Sequence, residues 1–105
     1  MIQTAIKHLD GQIVEEEIHL TLVELCQTCQ VSEDLISAWV LEGVLEPDGQ
    51  LPQEWRFSGT SLRRARLAQH LVQDMELNTP GVALALDLLD QIDMLKAQLK
   101  RSSHY

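Results

Sequence analysis

A chain of 105 residues is long enough for one domain with a modest core and too short for two. No apolar run could span a bilayer and no signal-like start is present, so the expectation is a cytosolic protein. Two cysteines make no disulfide framework, and a formal net charge of −8 argues against the general affinity for polyanions that a basic chain has.

The charge is unevenly spread. Between His8 and Trp55 there is no Lys or Arg, against eleven acidic residues, and Arg56, Arg63, Arg64 and Arg66 follow directly. Lys96, Lys100 and Arg101 gather near the other end.

Residues 1–18 place apolar side chains at Ile2, Ile6, Leu9, Ile13, Val14 and Ile18 around Asp10-Gly11, a hairpin signal. They predict an N-terminal β segment or arm, with Glu15–Glu17 as a solvated edge and Ile18-His19-Leu20 as a short strand. Thr21-Leu22-Val23-Glu24 is a capping box that starts a short helix, reaching about Thr28, with Leu22, Leu25 and Cys26 inward. Val31 anchors a turn. Ser32 then caps a second helix whose first turn carries Glu33 and Asp34, where the positive helix end favours carboxylates. Leu35, Ile36, Trp39 and Val40 form its apolar face, and Gly43 suits a left-handed C-terminal position.

Two helices joined by so short a turn make a helix-turn-helix pattern. Pro47-Asp48-Gly49 turns the chain, and Trp55-Arg56-Phe57 predicts a strand of a small wing. A third helix starts at Ser58–Thr60 and is expected to end at Asn78. Leu62, Ala65, Ala68 or Leu71, Val72 and Met75 form its inward face.

The last helix begins with Thr79 as the expected N-cap and Pro80 at the first helical position. Two apolar stripes run along it. Val82, Leu86 and Leu89 form one, which stops where Asp90 and Asp93 begin. Ala85, Leu88, Ile92, Leu95 and Leu99, spaced 3, 4, 3, 4, form an a/d seam. The start should pack on its own domain and the end on another helix, that of a second copy, giving a homodimer.

Catalytic patterns are missing. There is no Gly-rich phosphate loop, nucleophile elbow or His-x-Glu pair, and Arg66, His70 and Asp74 read as a solvated ladder along one helix. Cys26-Gln27-Thr28-Cys29 has no second close pair, and the four histidines lie scattered, so neither a metal site nor a cofactor is expected. The cysteines read as small buried hydrophobes. The expectation is a protein that is not an enzyme.

Several of these stretches together resemble one family. Leu20-Thr21-Leu22-Val23-Glu24-Leu25-Cys26, Val31-Ser32, Glu42-Gly43-Val44-Leu45-Glu46-Pro47, Trp55-Arg56-Phe57 and the block from Leu77 to Leu86 look like the bacterial chaperone modulators of the CbpM family. That family is itself similar to the helix-turn-helix of MerR regulators. The resemblance spans roughly residues 18–100, and Asn78-Thr79-Pro80-Gly81-Val82-Ala83-Leu84-Ala85-Leu86 is its most specific part. It implies a mainly α protein with a MerR-like winged helix-turn-helix at 19–57, and a two-helix segment at 58–105 whose last helix dimerises. It also implies a cytosolic, dimeric partner of the DnaJ-like co-chaperone CbpA, near the nucleoid if that partner is. Such a protein binds the J-domain and blocks the surface that recruits Hsp70.

On that view the acidic block from Glu15 to Glu54 receives the positively charged helix of a J-domain, and steering by opposite charge speeds encounter. Glu33, Asp34, Ser37, Ala38, Glu42 and Glu46 are the candidate contacts. The rival is a MerR-like transcription regulator using Arg56, Arg63, Arg64 and Arg66 on a dimer. Against it, the Glu33–Glu42 helix offers no base, and phosphate binding rests on Lys and Arg.

Overall fold

The computed structural model describes residues 17–102. Within them run helices α1 (Leu22–Cys29), α2 (Glu33–Leu41), α3 (Gly59–Met75) and α4 (Thr79–Ser102), with a 3-10 turn at Pro52–Glu54. The expected β segment or arm of residues 1–18 lies outside this range but for its last two residues.

Side-chain caps start each helix. At α1 the capping box forms as expected: the Glu24 N–H donates to Thr21 Oγ1 at 3.1 Å, and the Thr21 N–H donates to Glu24 Oε1 at 2.9 Å. Gln30, in the left-handed region at φ 58°, ends the helix. Ser32 caps α2 by accepting from the Leu35 N–H at 3.1 Å, and Ser58 caps α3 by accepting from the Ser61 N–H at 3.2 Å.

Two boundaries differ from expectation. Helix α3 ends at Glu76, left-handed at φ 54°, two residues before Asn78. Asn78 instead caps α4, because its Oδ1 accepts from the Gly81 N–H at 2.8 Å while its carbonyl takes the Val82 N–H at 2.9 Å. Thr79 is therefore already helical rather than the cap, and Pro80 stands second, still within the turn where a missing N–H removes no helical bond.

The core joins every helix. Leu25 and Cys29 of α1, Ile36 and Trp39 of α2, Leu62, Ala65 and Ala68 of α3, and Val82 and Leu86 of α4 are buried together with Leu20, Val44, Leu45, Trp55 and Phe57. Helix α3 packs on both α1 and α4, and α2 packs on α1 and α4. Cys29, not Cys26, is the deeply buried cysteine, since the i, i+4 position from Leu25 continues the buried line while Cys26 sits at its margin. Met75 is exposed despite the periodic expectation, for it occupies the final turn of α3 just before the chain reverses.

Extended pairing is limited. Leu20 bridges Phe57 and Asp48 bridges Arg56, both antiparallel and both isolated. Trp55 and Phe57 meet edge to face, with ring centroids 6.0 Å apart. Gly49, at φ 100°, makes the turn before them, and a Cβ there would lie 2.6 Å from the Glu54 carbonyl oxygen.

Helix α4 leaves the core after Leu86. Asp87–Ser102 continues as helix for about 24 Å, at 1.5 Å per residue, with every residue exposed. Leu88, Ile92, Leu95 and Leu99 are 49%, 45%, 59% and 70% exposed, and Ala85 is half-buried.

Candidate protein-docking surface

The second helix turns one side to the core and grades toward solvent on the other. Ile36 and Trp39 are buried, Leu35, Ser37, Ala38 and Val40 are partly buried, and of the side opposite the core Asp34 and Leu41 are exposed. Asp34 and Leu41, seven residues apart, fall within about 20° of each other on the helix surface. Glu33 and Glu42 flank this face and both are exposed. Five of the six candidate contact residues thus share one helix or its cap. Glu46 stands apart, in the loop beyond Gly43.

Glu42 and Glu46 both line an open cleft of about 620 Å³. Its other walls include Ser58, Ser61 and Arg64 of the α3 start and Asp87 and Asp90 of α4. Arg64 spans it. Its Nε donates to the Val44 carbonyl at 2.9 Å, and its Nη1 lies 3.0 Å from each carboxylate oxygen of Asp90. One guanidinium therefore ties the loop after α2 to α3 and α4, a job that a planar fork of donors suits and an ammonium does not. Asp87 accepts from Gln91 Nε2 at 3.1 Å. Among the described residues no hydrogen bond or ion pair engages the side chains of Glu42 and Glu46.

Leu41 is the residue that pattern reading passed over. It is 87% exposed at the C-terminal end of the outward face, a large apolar side chain beside Glu42. The apolar periodicity of α2 assigns Leu35, Ile36, Trp39 and Val40 inward, and Leu41 as the residue outside that set was the available signal.

Glu33 also borders a shallower groove formed by Thr21, Leu22, Val23, Pro52 and Gln53, beside exposed Val23 and Leu51. Cys26 follows Leu22 by one turn on the same face of α1, and Cys29 continues that face toward the core. Burial pushes both thiols above the usual range, with the Glu33 charge adding to the shift at Cys26 and Arg66 partly offsetting it at Cys29. Thiols held protonated in this way are poor nucleophiles and poor metal ligands. Among the described residues no three His, Cys, Asp or Glu side chains are grouped to hold a metal ion, and no helix is long and apolar enough to cross a membrane. His70 and Asp74 pair at 3.1 Å on the exposed side of α3, as the ladder reading expects for those two.

Comparison with known proteins places this arrangement. The model of the family described as "MerR HTH family regulatory protein" matches residues 20–103. The chain is 37% identical over 92 residues to the chaperone modulatory protein CbpM of Coxiella burnetii (strain Dugway 5J108-111), covering 88% of this chain and 87% of that relative. It is also 37% identical over 81 residues to the protein of the same name from Pseudomonas putida (strain W619), covering 77% of this chain and 80% of the relative. The same identity over the same span holds for that of Pseudomonas entomophila (strain L48). These relatives carry the name of modulators, not of enzymes. With its helix-turn-helix core, capped α4 and acidic second helix, the chain belongs to the CbpM family of chaperone modulatory proteins, within the MerR-type helix-turn-helix group.

Proposed function

We propose that this protein binds the J-domain of a CbpA-like co-chaperone and holds it away from Hsp70, acting as a cytosolic homodimer joined through α4. The observation that carries the reading is the outward face of α2. In a DNA-binding relative that face would need bases to approach phosphates, whereas here Glu33, Asp34 and Glu42 are its only charges. Carboxylates so arranged repel a duplex and attract a positively charged helix.

Arg64 further weakens the DNA reading. Its guanidinium is committed to Asp90 and Val44, so using it on phosphate would break contacts that order the fold. The pairings of Leu20 with Phe57 and Asp48 with Arg56 support reading residues 47–57 as a reduced wing. The Ala85, Leu88, Ile92, Leu95 and Leu99 seam supports the dimer, since exposed aliphatic side chains at 3, 4 spacing are what a second helix covers.

The functional test is the ATPase activity of the host Hsp70 stimulated by its CbpA-like co-chaperone. Added at a molar excess, the protein should bring the stimulated rate back toward the basal rate while leaving the basal rate unchanged. A stimulated rate unaffected by saturating protein would refute the inhibitory role.

A further inference from the structure

Resting on the J-domain reading above, the side-chain chemistry of α2 says what kind of segment it receives and where the contact is strongest. Charged rims steer partners, while binding energy concentrates in a few desolvated anchors near the centre of an interface. On α2 the middle of the outward face is made of two small, partly buried side chains, Ser37 and Ala38, which hold no bulk in the way of a partner. Leu41 rises one turn further on and is 87% exposed. Glu33 and Asp34 lie at one end of this strip, and Glu42 and Glu46 at the other, leading into the cleft walled by Asp87 and Asp90.

Isolated exposed leucines are ordinary on protein surfaces. Leu41 differs in its setting, since it ends a helix face that carries Glu33 and Asp34 at its start and Glu42 beside it. A partner of matching chemistry presents an apolar side chain flanked by lysine or arginine at helical spacing. An uncharged apolar helix would leave the carboxylates buried without counter-charge, and an acidic one would be repelled.

We propose that Leu41 is the apolar anchor of the co-chaperone interface, and that it receives an amphipathic helix with an aliphatic or aromatic side chain opposite Leu41, a basic residue beside Glu42 and another about two turns away toward Glu33 and Asp34. In this arrangement the carboxylates govern how fast the partner arrives, and Leu41 governs how long it stays.

The test uses the full chain and the isolated J-domain of the host CbpA-like protein, with association and dissociation rates measured for wild type, Leu41→Ser and Leu41→Met. Since Leu41 touches little of its own fold, both variants should keep the wild-type melting temperature and sedimentation coefficient. Leu41→Ser should weaken binding by roughly tenfold or more, almost wholly through faster dissociation, and Leu41→Met by no more than about threefold. Wild-type affinity in Leu41→Ser would overturn the anchor while leaving the J-domain reading intact. A shift of Leu41→Ser from dimer to monomer would also overturn it, because Leu41 would then be covered by a second copy of this chain. Failure of the wild-type protein to bind would remove the J-domain reading itself and the anchor with it.

Discussion

Gly43 and Gly49 separate two ways in which one residue can be required. Both lie at positive φ, 79° and 100°. Space surrounds Gly43, where a Cβ would meet nothing within 4 Å, so Gly43→Ala should cost about 1 kcal/mol for the left-handed backbone alone. At Gly49 the added carbon would meet the Glu54 carbonyl oxygen at 2.6 Å, so Gly49→Ala adds a clash with backbone to the same strain. It should be the more destabilising of the pair by at least about 1 kcal/mol in urea denaturation. Equal losses would mean that the turn before Arg56 shifts freely to admit a side chain. Gly43 was legible in sequence as a helix terminator; the crowding at Gly49 was not, because it depends on Glu54 folding back over the turn.

At the scale of elements, capping chemistry made most helix starts readable. Thr21 with Glu24, Ser32 and Ser58 each place a side-chain oxygen three residues before the N–H it accepts, which is a local relation that sequence displays directly. Asn78 and Thr79 are both good caps, and the preference for proline at the first helical position pointed to Thr79. The fold chose Asn78, whose amide oxygen reaches the Gly81 N–H. Asn78→Ala should therefore cost about 1 kcal/mol, within the 0.5–2 kcal/mol known for lost caps, and Thr79→Ala distinctly less. Comparison of the two by thermal unfolding settles the assignment, and a larger loss for Thr79→Ala would reverse it. What sequence did not display was long-range. The extended stretch at Trp55–Phe57 makes isolated bridges, set by where Leu20 and Asp48 lie, and the exposure of Leu41 follows from how α1 and α4 cover only the other side of α2.

At the scale of the whole molecule, the single chain leaves two faces uncovered. The first is the α4 seam. Beyond Leu86 the helix exposes six large apolar side chains to water, and pairing with a second copy would remove the aliphatic row from it. Sedimentation should find a particle of twice the 11.9 kDa chain mass. Ile92→Glu with Leu95→Glu should convert it to the single-chain mass with the buried core, anchored by Val82 and Leu86, still folded. A wild-type protein that sediments as one chain at high micromolar concentration would contradict the seam.

The second face is that of α2, and it carries the central claim. Its acidity sets it apart from the DNA-reading helix that the same architecture supports, and Arg64 shows where a neighbouring arginine is used instead, in joining α3 to α4 and the loop after α2. Titration of the isolated J-domain of the host CbpA-like co-chaperone into the full chain, at low and at high salt, tests this most directly. Binding should be saturable, should weaken as salt screens the carboxylates, and should weaken about tenfold or more at low salt in the Glu33→Lys, Asp34→Lys variant. Binding that ignored both salt and the two substitutions, or no binding at all, would contradict it.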